Sequence, residues 1–321
     1  MTDLVTTSPS SLPSTERRER MAQQARASKA ERTWHAYGSD WQIWEAWAAA
    51  NGAIAMPADP ECVAEFLSDM TASRKLSTVR RYLASISVSH TLKGNTFERK
   101  HSSIKTILRG AARGAPLPRR VRPLLSKQVR ALLRDLGDGP AERRNAALLS
   151  LGVASGCRRS ELAGLDWARR GDGSGVIEIT DDGGATITLF CSKTSQSEEP
   201  ECIYLQPGIA LKSLKHWLEA GAIAEGTPLF RAISKGGRLG AARLSDGSIA
   251  RIVKARCAAA GLEPREFAGH SLRAGMVTSA AEHGIAEWRI RLTSRHKSDV
   301  LRQYIRPVEK RQHALTSDIG L

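Results

Sequence analysis

A short segment rich in glycine, proline and arginine divides this chain into two parts. It has the sequence GAARGAPLPRRVRP and covers residues 110–123. Glycine and proline disfavour helix interiors and sheet ladders, so this composition predicts an extended connection between two modules. We expect the linker itself at 113–124. The full length of 321 residues is sufficient for two folded domains.

Positive charge is concentrated around this linker. Residues 99–134 contain eleven lysines and arginines and no aspartate or glutamate, and the whole chain carries a formal charge of +15. A surface that serves only solubility mixes both signs, so the run favours a polyanionic partner, with nucleic acid first. Bound phosphates would make affinity fall steeply with salt. The alternative explanation of this cationic run is a charged surface that contacts only solvent. The candidate phosphate contacts of the linker are Arg119, Arg120 and Arg122.

The part before the linker is predicted to be all-helical. Aromatic residues recur at spacings of three and four from Trp34 to Trp47, which is typical of one face of an amphipathic helix. Core packing is a better explanation of this face than a stacking platform for bases. Ser77 is expected to open another helix, with apolar residues up to Ile86. These patterns predict a helical domain over 29–112. The cations on the outer side of the Ser77 helix are Arg74, Lys75, Arg80 and Arg81.

After the linker, helical periodicity gives way to alternation and then returns. Segments 176–180, 185–190 and 202–205 alternate apolar and polar residues between turn sequences, which predicts a three-stranded antiparallel sheet. Helices are expected at 129–136, 141–154, 211–220, 245–260, 271–283 and 286–292. The chain is therefore predicted to be mainly α-helical with a small antiparallel sheet, and its second, α+β module is expected to span 125–321.

The termini and the cysteines exclude several classes of protein. Residues 1–28 are polar and charged, which predicts a disordered tail without the apolar core of a signal peptide. The longest apolar stretch, 146–154, is far below the roughly 18 residues of a membrane span, so we expect a cytoplasmic protein. The dispersed cysteines form no CxxC pair, so each is expected to be a reduced, buried, small hydrophobe. They are Cys62, Cys157, Cys191, Cys202 and Cys257.

Five segments of the second module carry residue types suited to work on a phosphodiester. They are GCRRSEL at 156–162, SKT at 192–194, HSLR at 270–273, RHKS at 295–298, and Tyr304, eight residues after the last histidine. In order and spacing they resemble the tyrosine recombinase (phage integrase) family, with its G-x-R-x-x-E-L, hairpin lysine, H-x-L-R and G-H-x-S boxes and its tyrosine. Each motif alone is weak, but the ordered set is specific. The resemblance covers roughly 28–310.

The resemblance implies a fold, a reaction and an assembly. The fold would be an N-terminal helical core-binding (SAM-like) domain followed by an integrase-type catalytic domain. The enzyme would be a site-specific DNA recombinase that acts on double-stranded half-sites as a homo-tetramer, through a 3′-phosphotyrosyl intermediate. The tail after Tyr304 would dock on a neighbouring protomer, with a disordered terminus as the alternative. The implied catalytic residues are Arg158, Lys193, His270, Arg273, His296 and the nucleophile Tyr304.

The residue types fit this chemistry on their own. A phosphodiester under attack gathers negative charge on its non-bridging oxygens, which the planar guanidinium groups of Arg158 and Arg273 can hold. A phenol has a pKa of about 10, so Tyr304 needs a base and a positive field to attack. His270 is the candidate base, and His296 a hydrogen-bond donor to the phosphate.

The remaining step of the reaction concerns the leaving group. The 5′-hydroxyl must receive a proton, and Lys193 on a hairpin turn is placed to donate it. The covalent intermediate keeps the energy of the phosphoester bond, so neither a metal nor a nucleotide cofactor is expected. The sequence lacks a GxxxxGK[ST] loop, in agreement with this expectation.

Two positions depart from the family pattern. Ala274 follows Arg273 where the family often has histidine, and Arg295 replaces the glycine before the last histidine. We expect Arg295 to add a positive charge near the phosphate. Arg159 is expected to point away from the site. Glu161 is expected to orient Arg158 or a nearby backbone amide.

Two other functions remain open from the residues. A type IB topoisomerase uses a similar set of side chains but rejoins the same strand, and the helical module and the spacing favour a recombinase over it. A DNA-binding protein without catalysis is the second alternative, although all six catalytic positions are filled. Integration, excision and dimer resolution would use the same core.

Overall fold

The computed structural model of the chain describes residues 31–116, 121–190, 199–312 and 314. The predicted disordered tail over 1–28 lies outside these residues. The chain divides into two compact units, Met1–Pro118 and Arg119–Leu321. Each unit has its own hydrophobic core.

The described part of the first unit is all-helical. Its elements are α1 (Glu31–Ala50), α2 (Pro60–Ser73), α3 (Leu76–Leu92) and α4 (Ser102–Gly114). Trp44 of α1 is fully buried and stacks on Trp47 at a centroid distance of 5.7 Å, with Phe66 of α2 against both rings. The prediction that the aromatic face of α1 packs in the core is therefore confirmed.

The second unit is an α+β fold, and the predicted class of mainly α with a small sheet is confirmed. Its described helices are α5 (Ser126–Arg134), α6 (Pro140–Ser155), α7 (Arg159–Ala163), α8 (Ile209–Ala220), α9 (Asp246–Ala259), α10 (His270–Glu282), α11 (Glu287–Ser294) and α12 (Arg302–Gln312). Its described strands are β1 (Leu165–Trp167), β2 (Gly175–Ile179), β3 (Ala185–Leu189), β4 (Glu201–Leu205), β5 (Arg231–Ile233) and β6 (Leu239–Arg243).

The sheet extends the one predicted from alternation. Strands β2, β3 and β4 form the expected antiparallel meander, with Ile187 opposite both Ile177 and Ile203 in the buried layer. A fourth strand, β1, pairs with β2 in parallel, and β5 with β6 forms a separate two-stranded sheet. The prediction missed β1 and β5 because three residues are too few to show a period of two, and it missed β6 because Leu239 is the one large apolar residue of that strand. Cys202 is exposed on β4, which corrects the expectation that every cysteine is buried.

Helix α6 is the central element of the second core. Leu148, Leu149 and Leu151 are fully buried, as is Trp217 of α8, which packs along α6. The helix ends at Gly156, whose φ of 60° is the left-handed conformation that favours glycine. Directly after this turn the chain continues into the segment that carries Arg158.

The end of the predicted linker lies against α10. The amide of Leu124 donates to the Ser271 carbonyl at 2.9 Å, and the Leu124 side chain is fully buried. A Cβ at Gly275 would collide with the Leu124 carbonyl, so glycine allows this backbone crossing. Ser126 is the first residue of α5, and its amide donates to Ser279 Oγ at 2.9 Å.

The C-terminal helix α12 packs on the chain's own second unit. Ile305 and Val308 are buried in a cluster with Val277 and Ala281 of α10. Residues 305–312 of the expected docking tail therefore belong to a helix held by this unit, because its apolar face is already covered. The rest of that tail, apart from Ala314, lies outside the described residues.

Candidate active site

The first arginine segment is organised by a buried glutamate. Arg158 lies immediately before α7, and its amide donates to Glu161 Oε2 at 2.7 Å. Its guanidinium Nη1 donates to Glu161 Oε1 at 2.5 Å. Glu161 is buried, so its carboxylate is a fixed anchor for a partly buried arginine. The expectation that Glu161 orients Arg158 agrees with both contacts.

Arg273 connects the segment of Arg158 to His296. It lies in the first turn of α10, and its buried guanidinium donates from Nη1 to the Gly156 carbonyl at 2.7 Å. Its Nη2 lies 3.4 Å from His296 Nδ1. Burial, and then the charge of Arg158, lower the pKa of Arg273 to about 10. The structure thus brings two guanidinium groups and His296 together at one place.

The contact with Arg273 also determines the tautomer of His296. A guanidinium has no acceptor, so Nδ1 must accept and the remaining proton lies on Nε2. Desolvation lowers the pKa of His296 to about 4, helped by the charges of Arg273 and Arg158. His296 is therefore neutral at pH 7 and keeps one N–H for donation, which is the role expected from the sequence.

His270 is the first residue of α10 and shares this electrostatic environment. Desolvation of its ring lowers its pKa below the usual value, and the charges of Arg159, Arg273 and Arg158 act in the same direction. A neutral imidazole can accept a proton, so the environment suits a general base.

Tyr304 lies on α12, one turn before the buried Val308. Its half-buried side chain packs against the cluster that joins α12 to α10. Because α10 also carries His270 and Arg273 at its other end, a single helix supports three of the candidate residues.

Lys193 lies outside the described residues, in the connection between β3 and β4. Glu201, the first residue of β4, shows where this end of the hairpin lies. Its Oε2 accepts from Arg295 Nη1 at 3.1 Å, next to His296. The connection that holds Lys193 therefore ends beside the candidate site.

Arg295 does not add a free charge to the site, which corrects the expectation from the sequence. Its guanidinium is buried between the carboxylates of Glu161 and Glu201. Arg159 pairs with Asp246 of α9 at 3.1 Å, and its charge lowers the pKa of His270, so it lies beside that residue of the candidate site rather than away from it.

One structural centre beside the site was missed by the sequence analysis. Asp166, on β1, is fully buried and accepts from Arg243 Nη2 at 2.6 Å and from the amides of Gly171 and Gly173 at 2.8 Å. Arg243 also pairs with Asp172. These bonds hold the loop between β1 and β2. The one available signal was a single acid inside the apolar run around Leu165 and Trp167.

The candidate DNA contacts differ in how free their charges are. Arg74, Lys75 and Arg80 are exposed on the first unit. Arg81 is instead held by Asp40, through Nε to Oδ2 at 2.7 Å and Nη2 to Oδ1 at 2.9 Å.

Of the linker candidates, the structure describes only Arg122. Arg122 pairs with Glu266 at 2.9 Å, while its guanidinium also lies over the ring of Phe267. Arg119 and Arg120 lie outside the described residues.

In residues 31–116, 121–190, 199–312 and 314, no three His, Cys, Asp or Glu side chains form a group that could hold a metal ion. None of the helices in those same ranges is long and apolar enough to cross a bilayer.

Comparison with known proteins identifies the family. Residues 122–310 match the model of the phage integrase family. The chain is also 35% identical over 269 residues to the integrase/recombinase XerD homolog of Selenomonas ruminantium, which covers 79% of this chain and 75% of the relative. The chain therefore belongs to the phage integrase family of tyrosine recombinases, and it is a site-specific recombinase.

Solved structures share the fold at low sequence identity. The XerH site-specific recombinase in a post-cleavage complex with palindromic difH has a TM-score of 0.64 and 20% identity, over 96% of this chain and 85% of that chain. A λ integrase (75–356) dimer bound to a COC′ core site has a TM-score of 0.55 and 18% identity, over 89% of this chain and 93% of that chain.

Proposed function

We propose that this recombinase cleaves and rejoins double-stranded DNA at recombination half-sites through a 3′-phosphotyrosyl intermediate on Tyr304. The reaction would serve integration, excision or dimer resolution. The observation that carries the proposal is the joint position of Arg158 and Arg273. Both guanidinium groups are largely removed from solvent and belong to two of the family's catalytic boxes, while the backbone carbonyl of Gly156 holds one of them.

Two arginines so placed suit the transition state of phosphoryl transfer. Negative charge grows on the non-bridging oxygens as the phosphorus becomes five-coordinate, and a buried guanidinium interacts with that charge more strongly than one in water. Glu161 and Gly156 hold the two groups before DNA arrives, so little reorganisation is needed. His296 would donate from Nε2 to the same phosphate.

Bond exchange at phosphorus is accompanied by two proton transfers. The Tyr304 oxygen bonds to phosphorus while the bond from phosphorus to the 5′-oxygen breaks. His270 accepts the proton of the phenol, and Lys193 donates one to the leaving 5′-oxygen. Attack by the 5′-hydroxyl of another strand then reverses each transfer and releases Tyr304. No step needs a metal or a nucleotide, so the proposal includes no cofactor.

Cations remote from the reacting phosphate would bind the DNA backbone. Arg74, Lys75 and Arg80 are exposed and suited to phosphate contacts, and the linker arginines would extend the contact. We propose the cytoplasm as the location, and a homo-tetramer on paired half-sites as the active assembly. Exchange between two duplexes requires four cleaved strands and hence four nucleophiles.

A nicked suicide duplex tests the proposal, because the released end diffuses away and leaves the covalent adduct trapped. Wild-type protein should form a DNA–protein adduct that migrates slowly in a denaturing gel, and Tyr304→Phe should form none. Tyr204→Phe is the matched control, since Tyr204 is 74% exposed on β4. Absence of an adduct with wild type, or an equal adduct with Tyr304→Phe, would refute the assignment.

Two duplexes of different length separate recombinase from topoisomerase chemistry. Strand exchange should give joined products of mixed length when both carry the half-sites. Relaxation of supercoiled DNA without any mixed product would instead favour the topoisomerase reaction.

A further inference from the structure

Arg295 stands where the backbone favours glycine. It follows α11 with φ at 56° and ψ at 35°, a left-handed conformation that costs a residue with a Cβ about 1 kcal/mol or more. Its side chain is only 6% exposed, although burying a guanidinium also costs desolvation and side-chain entropy. Contacts that offset these costs must therefore exist around it.

Those contacts are two carboxylates from distant parts of the chain. Arg295 Nη2 lies 2.6 Å from Glu161 Oε2, and Nη1 lies 3.1 Å from Glu201 Oε2. Glu161 belongs to the segment of Arg158, and Glu201 begins the strand after the connection that holds Lys193. His296 directly follows Arg295 in the chain. One guanidinium therefore connects the segment of Arg158, the first residue of β4 and the segment of His296.

The same contacts set the charge beside the reacting phosphate. Glu161 is shared, with Oε1 facing Arg158 Nη1 at 2.5 Å and Oε2 facing Arg295. Without Arg295, the buried Glu161 would keep Arg158 as its ion-pair partner, and Glu201 would keep Lys297, whose Nζ lies 3.9 Å from Glu201 Oε1. With Arg295, both oxygens of Glu161 face a guanidinium, so less of the Arg158 charge is offset and the positive charge of Arg273 remains for an incoming phosphate.

We propose that Arg295 is a positioning residue for strand cleavage, one that aligns the Arg158 and His296 segments with the start of β4 and neutralises Glu161. The inference rests on the proposed function, because it assigns the alignment to those catalytic residues. Arg295 acts through Glu161 and Glu201 and has no direct contact with DNA in this scheme.

The ionisation of Glu161 provides a readout that a purely structural role would not change. The groups that face this carboxyl are Arg158, Arg273, Arg295, His270 and the Cys157 thiol. Burial raises the pKa of Glu161, but the charges and hydrogen bonds of Arg295 and Arg158 outweigh burial and hold it below its usual value. Loss of Arg295 should raise that pKa, so that Glu161 takes up a proton and releases Arg158 at a higher pH than in wild type.

The experiment compares covalent trapping by full-length wild type, Arg295→Gly and Arg295→Lys across pH. Glycine relieves the backbone strain, so Arg295→Gly should remain folded. Its cleavage rate should fall about 10- to 100-fold, as for the loss of a charge-assisted hydrogen bond, and the acid side of its pH profile should move to higher pH. Arg295→Lys should recover part of the rate, because it keeps the charge without the two-armed contact. Arg289→Ala removes a cation from the exposed side of α11 and controls for net charge.

A double variant isolates the charge effect. If Arg295 neutralises Glu161, the loss in Arg295→Gly with Glu161→Gln should be smaller than the product of the two single losses. A loss of cleavage rate in the double variant equal to the product of the two single losses would refute charge compensation between Arg295 and Glu161. A cleavage rate and pH profile of Arg295→Gly equal to those of wild type would refute the whole inference. Failure of wild type to form the Tyr304 adduct would instead refute the proposed function itself.

Discussion

Arg273 donates a hydrogen bond of 2.7 Å to the carbonyl of Gly156, the residue that ends α6 in a left-handed conformation. The bond joins two segments that are 117 residues apart in the chain. It explains why the glycine of the first box belongs to the site although it has no side chain. Its φ directs the carbonyl towards the guanidinium, and a carbonyl held by the end of a helix moves little.

Gly156→Ala should therefore weaken catalysis as well as stability. The added Cβ meets the terminal methyl of Met276, and an alanine at this φ costs about 1–2 kcal/mol. Gly284→Ala is the matched control, with φ at 69° and open space around its Cβ. Both variants should lose similar stability in thermal unfolding, but only Gly156→Ala should cleave a suicide substrate slowly. Equal cleavage by the two would contradict the role of the carbonyl.

Arg158→Lys should separate cleavage from binding. Lysine keeps the charge but not the planar fork, so the contact with Glu161 and the paired contact with phosphate cannot both form. Cleavage should fall roughly 100-fold or more, as for loss of one oxyanion donor, while binding in a gel-shift assay persists. Arg159→Lys, which faces Asp246, is the neighbouring control. Near-normal cleavage by Arg158→Lys would refute the phosphate contact.

Stability of the DNA-free protein should fall as the pH drops from about 6.5 towards 4. His296 has a pKa of about 4 in the folded chain, below the value of about 6.5 for an exposed histidine. Between these values the unfolded chain binds a proton that the folded chain does not, so the free energy of unfolding declines with falling pH, by at most about 1.4 kcal/mol per pH unit. The lowered pKa of His270 acts in the same direction.

His296→Gln removes one source of this dependence. Denaturant unfolding at pH 7, 6, 5 and 4.5 should therefore show a smaller decline for the variant than for wild type. His216→Gln removes an imidazole from the surface of α8 and is the control. A decline as large in His296→Gln as in wild type would rule out His296 as its source.

Arg80 and Arg81 should have opposite phenotypes although they are neighbours. Asp40 is 2% exposed, so Arg81→Ala leaves a buried carboxylate without its partner and should destabilise the first unit by about 2–4 kcal/mol. Arg80→Ala should change stability by less than about 0.5 kcal/mol.

Binding should show the reverse order for these two variants. Arg80→Ala should lower the slope of log affinity against log salt by about one, as expected for one phosphate contact. The measurements are thermal unfolding of the full chain and DNA binding at several salt concentrations. If Arg81→Ala lost DNA binding without losing stability, the ion pair with Asp40 would not be the main role of Arg81.

Several features of this protein follow from local sequence alone. The aromatic face of α1 and the meander of β2, β3 and β4 are visible because a period of 3.6 or of two decides which side of one element is buried. The catalytic boxes are visible for a related reason, since the residue types and order that the chemistry needs lie within short segments.

Other features were decided only by the tertiary structure. The sequence predicts an extra cation at Arg295, yet this residue is neutralised by Glu161, 134 residues away, and by Glu201. The sequence predicts a DNA contact at Arg81, yet Asp40 of another helix holds its side chain. The physical reason is the same in both cases. The effective charge of a side chain depends on which opposite charges meet it in the folded chain and on how much water is excluded there, and neither quantity is written in the local sequence.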